Sequence, residues 1–213
     1  MTSLEAKSWL AGLKIKDLGL MNKEIIVCPS FTDLPILKSL IINHKSNIKL
    51  GAQNISQFDE GAYTGEINGK EIKDLAQFVI IGHSERRKNF SESEDVVNAK
   101  IAQALNNELT PIICVSSIKQ AEAFQDTVKG NNQFVVAYEP LFAIGSGTPD
   151  TPENADQMAK SIKNILGEIP VLYGGSVTSI NISEFSKMPN IDGVLIGKAS
   201  LDAKEFSKII KNA

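Results

Sequence analysis

Short β-branched and apolar runs alternate with stretches whose apolar positions recur at helical spacing, and the alternation holds along the whole chain. The runs at 24–28, 48–52, 78–82, 111–115, 134–138, 171–173 and 193–196 predict seven strands. Each is apolar almost without interruption, as a parallel sheet covered on both faces requires. The amphipathic stretches at 3–14, 33–43, 71–76, 94–107, 118–128, 152–166, 180–186 and 203–211 predict eight helices. Thr2 or Ser3, Ser93, and Thr151 followed by Pro152 at the first helical position stand where N-caps belong.

Strict β-α alternation leaves two architectures open, a doubly wound sheet and a (β/α)₈ barrel. A barrel normally has eight strands in about 250 residues. This chain has 213 residues, seven predicted strands, and an unpaired helix at its start. The expectation is a barrel whose first strand lies upstream of Met1. No linker or low-complexity tract interrupts the pattern, so residues 1–213 are expected to form one domain.

Composition narrows the function classes. A formal net charge of −3 without a basic block argues against a nucleic-acid partner. The apolar runs are too short for a transmembrane helix, and the N-terminal residues do not read as an export signal, so no membrane partner is expected and the cytoplasm is the default. Cys28 and Cys114 sit in strand-like runs and read as buried thiols. No metal-ligand spacing is present, and no cofactor is expected.

Three segments carry candidate chemistry. The run ending at Tyr138 releases one carboxylate, Glu139, followed by Pro140 and an apolar flap with Gly145 and Gly147. That arrangement suits a general base under a closing lid, and a surface loop with an incidental Glu is the alternative. His83 stands just past the carboxyl end of the 78–82 strand, the edge where parallel α/β proteins bind ligands. It can donate to a carbonyl while Glu85, Arg86 and Arg87 frame the turn with ion pairs, or it is a structural His. His44, at a helix end, reads as surface. The last two strands run into Gly174-Gly175-Ser176 and Gly197-Lys198. Either could be a tight turn alone, but together, after consecutive late strands, they favour phosphate. The loop from Gln53 to Glu66 is long and polar, as functional or interface loops are.

These segments, in this order, resemble the triosephosphate isomerase family: Gly51-Ala52-Gln53-Asn54, Gly61-Ala62-Tyr63-Thr64-Gly65-Glu66, Gly82-His83-Ser84-Glu85-Arg86-Arg87, Tyr138-Glu139-Pro140, Ala143-Ile144-Gly145-Ser146-Gly147 and Tyr173-Gly174-Gly175-Ser176-Val177. The resemblance implies a (β/α)₈ barrel, here without its first strand. It implies interconversion of glyceraldehyde 3-phosphate and dihydroxyacetone phosphate, in glycolysis and gluconeogenesis, without cofactor or metal. The family is a known case of tuned acid–base chemistry under a lid, and the resemblance carries its roles onto matching positions. Glu139 would move the proton, His83 would be a neutral electrophile, Glu85 would support the polar groups of the site, and Ser84 would help seat Glu139. Gly145, Ser176, Gly197 and Lys198 would hold the phosphate. Thr64 would project into a neighbouring subunit, giving a homodimer or a higher assembly.

The chain departs from the family pattern in four places. Phe142 stands for a Trp in the lid hinge, Lys198 for a second Gly, and Ser116-Ser117 for Gly-Glu before a shortened connection. The family's Asn-x-Lys segment has no counterpart, and Lys7 and Lys14 belong to a helix and cannot replace its lysine. Losing such a stabiliser commonly costs on the order of 10²–10³ in rate. The alternative function is therefore an inactive or weakly active barrel that only binds phosphorylated ligands.

Overall fold

Strand parity organises the molecule into two apolar compartments. In β3 (Phe78–Ile81), Phe78 and Ile80 face one side while Val79 and Ile81 face the other. In β4 (Thr110–Val115), Ile112 and Cys114 share the compartment of Phe78 and Ile80, whereas Ile113 and Val115 join that of Val79 and Ile81. Ala137 of β5 (Val135–Tyr138) completes the smaller, inner cluster. The larger, outer compartment is filled from the helices by residues such as Leu37, Ile101, Ala159 and Phe206. Both faces of the sheet are thus apolar, which explains the unbroken hydrophobic runs.

The computed structural model describes residues 1–13, 23–43 and 48–213. Lys14, the expected end of the first helix, and His44 lie outside the described residues. The sheet runs β1 (Ile26–Val27), β2 (Lys49–Ala52), β3, β4, β5, β6 (Val171–Tyr173) and β7 (Gly193–Val194), every neighbouring pair parallel and in chain order. Among the described residues, seven parallel strands in sequential order, wrapped by helices, match a (β/α) barrel lacking a strand. Among the described residues, β1 and β7 each pair on one side only.

Nine α-helices are present among the described residues. They are α1 (Ser3–Gly12), α2 (Leu34–Asn43), α3 (Gly69–Lys73), α4 (Ser84–Asn89), α5 (Glu94–Asn106), α6 (Ile118–Ala123), α7 (Pro152–Leu166), α8 (Ile182–Phe185) and α9 (Ala203–Asn212). The expected caps are in place: Thr2 in a capping box with Glu5, Ser93 before α5, and Thr151 with Pro152 before α7. Periodicity predicts eight helices, and α4 is the addition. It occupies the segment read as a ligand-binding turn. Glu85 stands in its first turn, and Arg86, Arg87 and Lys88 in its last, matching the helix dipole.

Helix α1 bridges the ends of the sheet. Ser3 Oγ donates to Asp33 at 2.7 Å near the start of α2, while Trp9 packs on Phe206 of α9 with ring centroids 5.7 Å apart. The Trp9 indole N–H also donates to the Ser200 carbonyl at 2.8 Å. No helix among the described residues is long and apolar enough to cross a membrane.

Candidate active site

Parity aims Glu139 inward. Along β5, Val136 and Tyr138 face the helices and Ala137 faces the inner cluster, so the next residue, Glu139, turns inward at the strand's carboxyl end. Its backbone N–H donates to the Val115 carbonyl at 2.7 Å, extending the β4–β5 ladder by one step. Glu139 is only 2% exposed. One carboxylate oxygen accepts from the Ser84 backbone N–H at 2.9 Å, and the other lies 3.1 Å from His83 Nε2.

His83 reaches Glu139 because the chain turns sharply at Gly82. That residue has φ +70°, a left-handed conformation in which a Cβ would also meet the Val97 methyls at 3.3 Å. His83 then N-caps α4, its Nδ1 accepting from the Glu85 backbone N–H at 3.3 Å. A ring nitrogen that accepts carries no proton, so Nε2 holds the N–H and donates to Glu139 Oε1.

The ion-pair frame expected from Glu85 is built by other carboxylates. Arg86 pairs with Glu92 at 2.6 Å and Arg87 with Glu94 at 2.8 Å. Residues one and two apart on a helix do not face each other, so Glu85 is poorly placed to bridge its neighbours. Its own side chain is exposed at the rim, and its contribution to His83 is made by its backbone N–H. Glu92 also binds the buried Lys100, which reaches Asn54 at 2.7 Å and so ties α5 to the loop after β2. Burial pushes the Glu92 carboxyl up, but hydrogen bonds from Lys100 and Arg86 outweigh it and hold it below its ordinary range.

On the β4 side of Glu139 lies a cleft of about 550 Å³, lined by Cys114, Val115, Ser116 and Gln120, the α4 residues Arg87 and Lys88, and Leu141 and Ile144 of the lid among others. Cys114 is a neighbour that spacing did not reveal. Burial, with the adjacent Glu139 carboxylate accepting its hydrogen, raises this thiol well above its usual range. On the opposite side the residue after β6 is Gly174, where an added Cβ would stand 3.1 Å from Glu139 Cγ.

The loops after β6 and β7 lie side by side because those strands pair. Ser176 adopts φ +51°, an uncommon conformation for a non-glycine residue. Its hydroxyl donates to the Ala143 carbonyl at 2.6 Å and accepts from the Gly147 N–H at 3.1 Å, so it holds both legs of the lid. The N–H groups of Gly145, Gly175, Ser176 and Gly197 meet no acceptor among the described residues. Lys198 opens a short 3-10 turn, Lys198–Leu201, and has no left-handed φ, so a side chain there leaves its backbone unstrained. The lid carries Leu141 and Phe142 outward, both more than 60% exposed, with Gly145 at φ +66° and Gly147 at φ +80°.

A family model described as "Triosephosphate isomerase" matches residues 1–213. Among curated relatives, all named "Triosephosphate isomerase", that of Leifsonia xyli subsp. xyli is 42% identical over 88% of this chain and 82% of its own length. That of Dictyoglomus turgidum is 40% identical over 99% of this chain and 94% of its own, and that of Hahella chejuensis 38% over 97% and 92%. The Dictyoglomus alignment spans 237 positions against the 213 residues here, so that relative carries residues opposite gaps in this chain.

Proposed function

The chain belongs to the triosephosphate isomerase family, isomerases that interconvert glyceraldehyde 3-phosphate and dihydroxyacetone phosphate, and from that premise we propose how its residues divide the reaction. The observation that carries the assignment is Glu139, 2% exposed, with its carboxylate held between His83 Nε2 and the Ser84 N–H. A carboxylate at a strand end, buried away from water and facing a neutral donor, is a base waiting for a carbon acid.

Substrate binding exchanges acceptors. The substrate carbonyl oxygen takes the His83 Nε2–H that Glu139 Oε1 now holds, and the freed carboxylate removes a proton from the adjacent carbon. The two electrons of the C–H bond form the enediolate double bond, and the carbonyl pair moves to oxygen, where His83 stabilises it. A proton passes from the second carbon's hydroxyl to the former carbonyl oxygen by way of His83 Nε2, Glu139 returns its proton to the former carbonyl carbon, and the new carbonyl forms where the hydroxyl stood, completing the shift from aldose to ketose. Free N–H groups of Gly175, Ser176 and Gly197, with Gly145 from the lid, hold the phosphate, and the lid keeps water from the enediolate. Lys198 contributes its backbone there, Ser84 seats the base through its N–H, and Glu85 fixes the His83 tautomer through its own.

The functional unit is one domain of residues 1–213, acting in the cytoplasm as a homodimer. The loop after β2 supports that assembly, presenting an exposed Thr64 beside a stacked Phe58–Tyr63 pair with centroids 4.1 Å apart. A coupled isomerisation assay tests the reading. Glu139→Asp retracts the base by about one methylene and is expected to lower kcat about 10²-fold with KM little changed. Unchanged turnover removes Glu139 from its role. Phosphate-analogue binding by the parent chain without turnover selects the reading of a barrel that only binds.

A further inference from the structure

The descending leg of the lid ends in a buried carboxylate that proton transfer does not use. Asp150 is 8% exposed and stands one residue before the Thr151 cap of α7. Both of its oxygens accept. Oδ1 takes the Thr151 backbone N–H at 2.8 Å, and Oδ2 takes Asn154 Nδ2 at 2.7 Å and lies 3.5 Å from the Tyr138 hydroxyl. The Asp150 backbone N–H donates to the Tyr173 hydroxyl at 2.8 Å. Tyr138 immediately precedes the base on β5, and Tyr173 immediately precedes Gly174-Gly175-Ser176 on β6.

A helix cap does not account for this residue. Thr151 already caps α7, accepting from the Asn154 N–H at 3.2 Å. A carboxylate buried without a cation is costly unless donors surround it, and three donors plus the α7 N-terminus do so here. Those donors come from the lid–helix junction and from β5, while the backbone of the same residue engages β6. The Tyr173 hydroxyl lies close under the Gly175 backbone, where a Cβ would stand 2.5 Å from it. Burial, with the Asp150 charge nearby, pushes both tyrosine hydroxyls up to about 12, so both remain protonated around neutral pH.

We propose that Asp150 is a positioning residue whose carboxylate clamps the lid's descending leg to β5, the strand bearing the base, beside the backbone bond to Tyr173. The clamp makes one rigid unit of Tyr138–Glu139, Tyr173–Ser176 and the lid's end, so the lid and the base are set together. The inference rests on the isomerase reading for its catalytic consequence, but not for its structural one.

The test compares the full chain with Asp150→Ala, Asp150→Asn, Tyr138→Phe and Thr151→Ala, the last removing the α7 cap while keeping the Thr151 backbone N–H that Asp150 accepts. Amide hydrogen exchange of residues 141–150 is measured alongside kcat, KM for dihydroxyacetone phosphate, and inorganic phosphate released per turnover. Asp150→Ala is expected to speed exchange of the lid roughly tenfold. It should also lower kcat roughly tenfold with a smaller change in KM, and raise phosphate release several-fold as water reaches the enediolate. Asp150→Asn and Tyr138→Phe move the same readouts less, and they carry the comparison if the alanine variant does not fold. Thr151→Ala lowers the melting midpoint and leaves the other readouts at the parent level. The clamp is overturned if Asp150 and Thr151 variants lower the midpoint alike while lid exchange and phosphate release stay unchanged. A parent chain without turnover would refute the isomerase reading, and lid exchange would still decide the clamp.

Discussion

At the scale of single residues, the site turns on which atoms have room to move. Gly174 lies beside the base, and the 3.1 Å approach of an added Cβ to Glu139 Cγ is tighter than ordinary van der Waals contact. Gly174→Ala is therefore expected to lower kcat by at least about tenfold through displacement of the carboxylate, while the melting midpoint changes by only a few degrees. Steady-state kinetics beside a thermal melt check the pair, and equal losses in both would assign Gly174 to packing alone. Glu139 and His83 could be read from the chain because each is a polar residue ending an apolar run, a break in pattern visible without a structure. Cys114 and Asp150 could not. Cys114 continues its apolar run, and its contact with Glu139 depends on the register that sets Cys114 beside Ala137. Asp150 resembles any polar residue before a capped helix until the lid folds back over two tyrosines.

At the scale of elements, the strands and most helices were legible from periodicity, whereas short pieces and element ends were not. Helix α4 has six residues and is capped by a His, so neither its length nor its cap signals a helix. Helix α6 stops at Ala123, short of the expected 128, and β1 and β7 have two paired residues each. Those limits are tertiary, because an edge strand is only as long as its single partner allows. The junction of α4 and α5 depends on Glu92, which holds Arg86 of one helix and Lys100 of the other. Glu92→Ala strands a buried ammonium and is expected to cost about 3–5 kcal/mol in denaturant unfolding. Since the folded-state pKa of Glu92 lies below the ordinary carboxylate range, its contribution is fully present above that range and is lost as pH falls through the depressed value. The parent should thus lose stability on acidification below about pH 4.5 more steeply than the variant.

At the scale of the molecule, strand pairing among the described residues is sequential. Every ladder joins neighbours in the chain, so the sheet can assemble one βα step at a time with modest loop-closure cost. Alternation leaves a doubly wound sheet open beside the barrel; the unpaired first helix points to the barrel, and the family resemblance implies it independently. What alternation could not supply is how the ends of the sheet are bridged, since that depends on contacts between residues nearly 200 positions apart. Trp9 to Ser200, Trp9 to Phe206 and Leu13 to Ser207 are those contacts.

The Trp9 junction thereby acquires a meaning in time. It is the long-range step in an otherwise local assembly, so α1 docks on α9 late in folding and leaves early in unfolding. Native-state hydrogen exchange should find the amides of α1 and α9 opening together at lower free energy than those of β3 to β5, and uniform opening across all of them would contradict it. The hinge of this molecule's life cycle is then an indole at its rim, while the chemistry stays within the strands that open last.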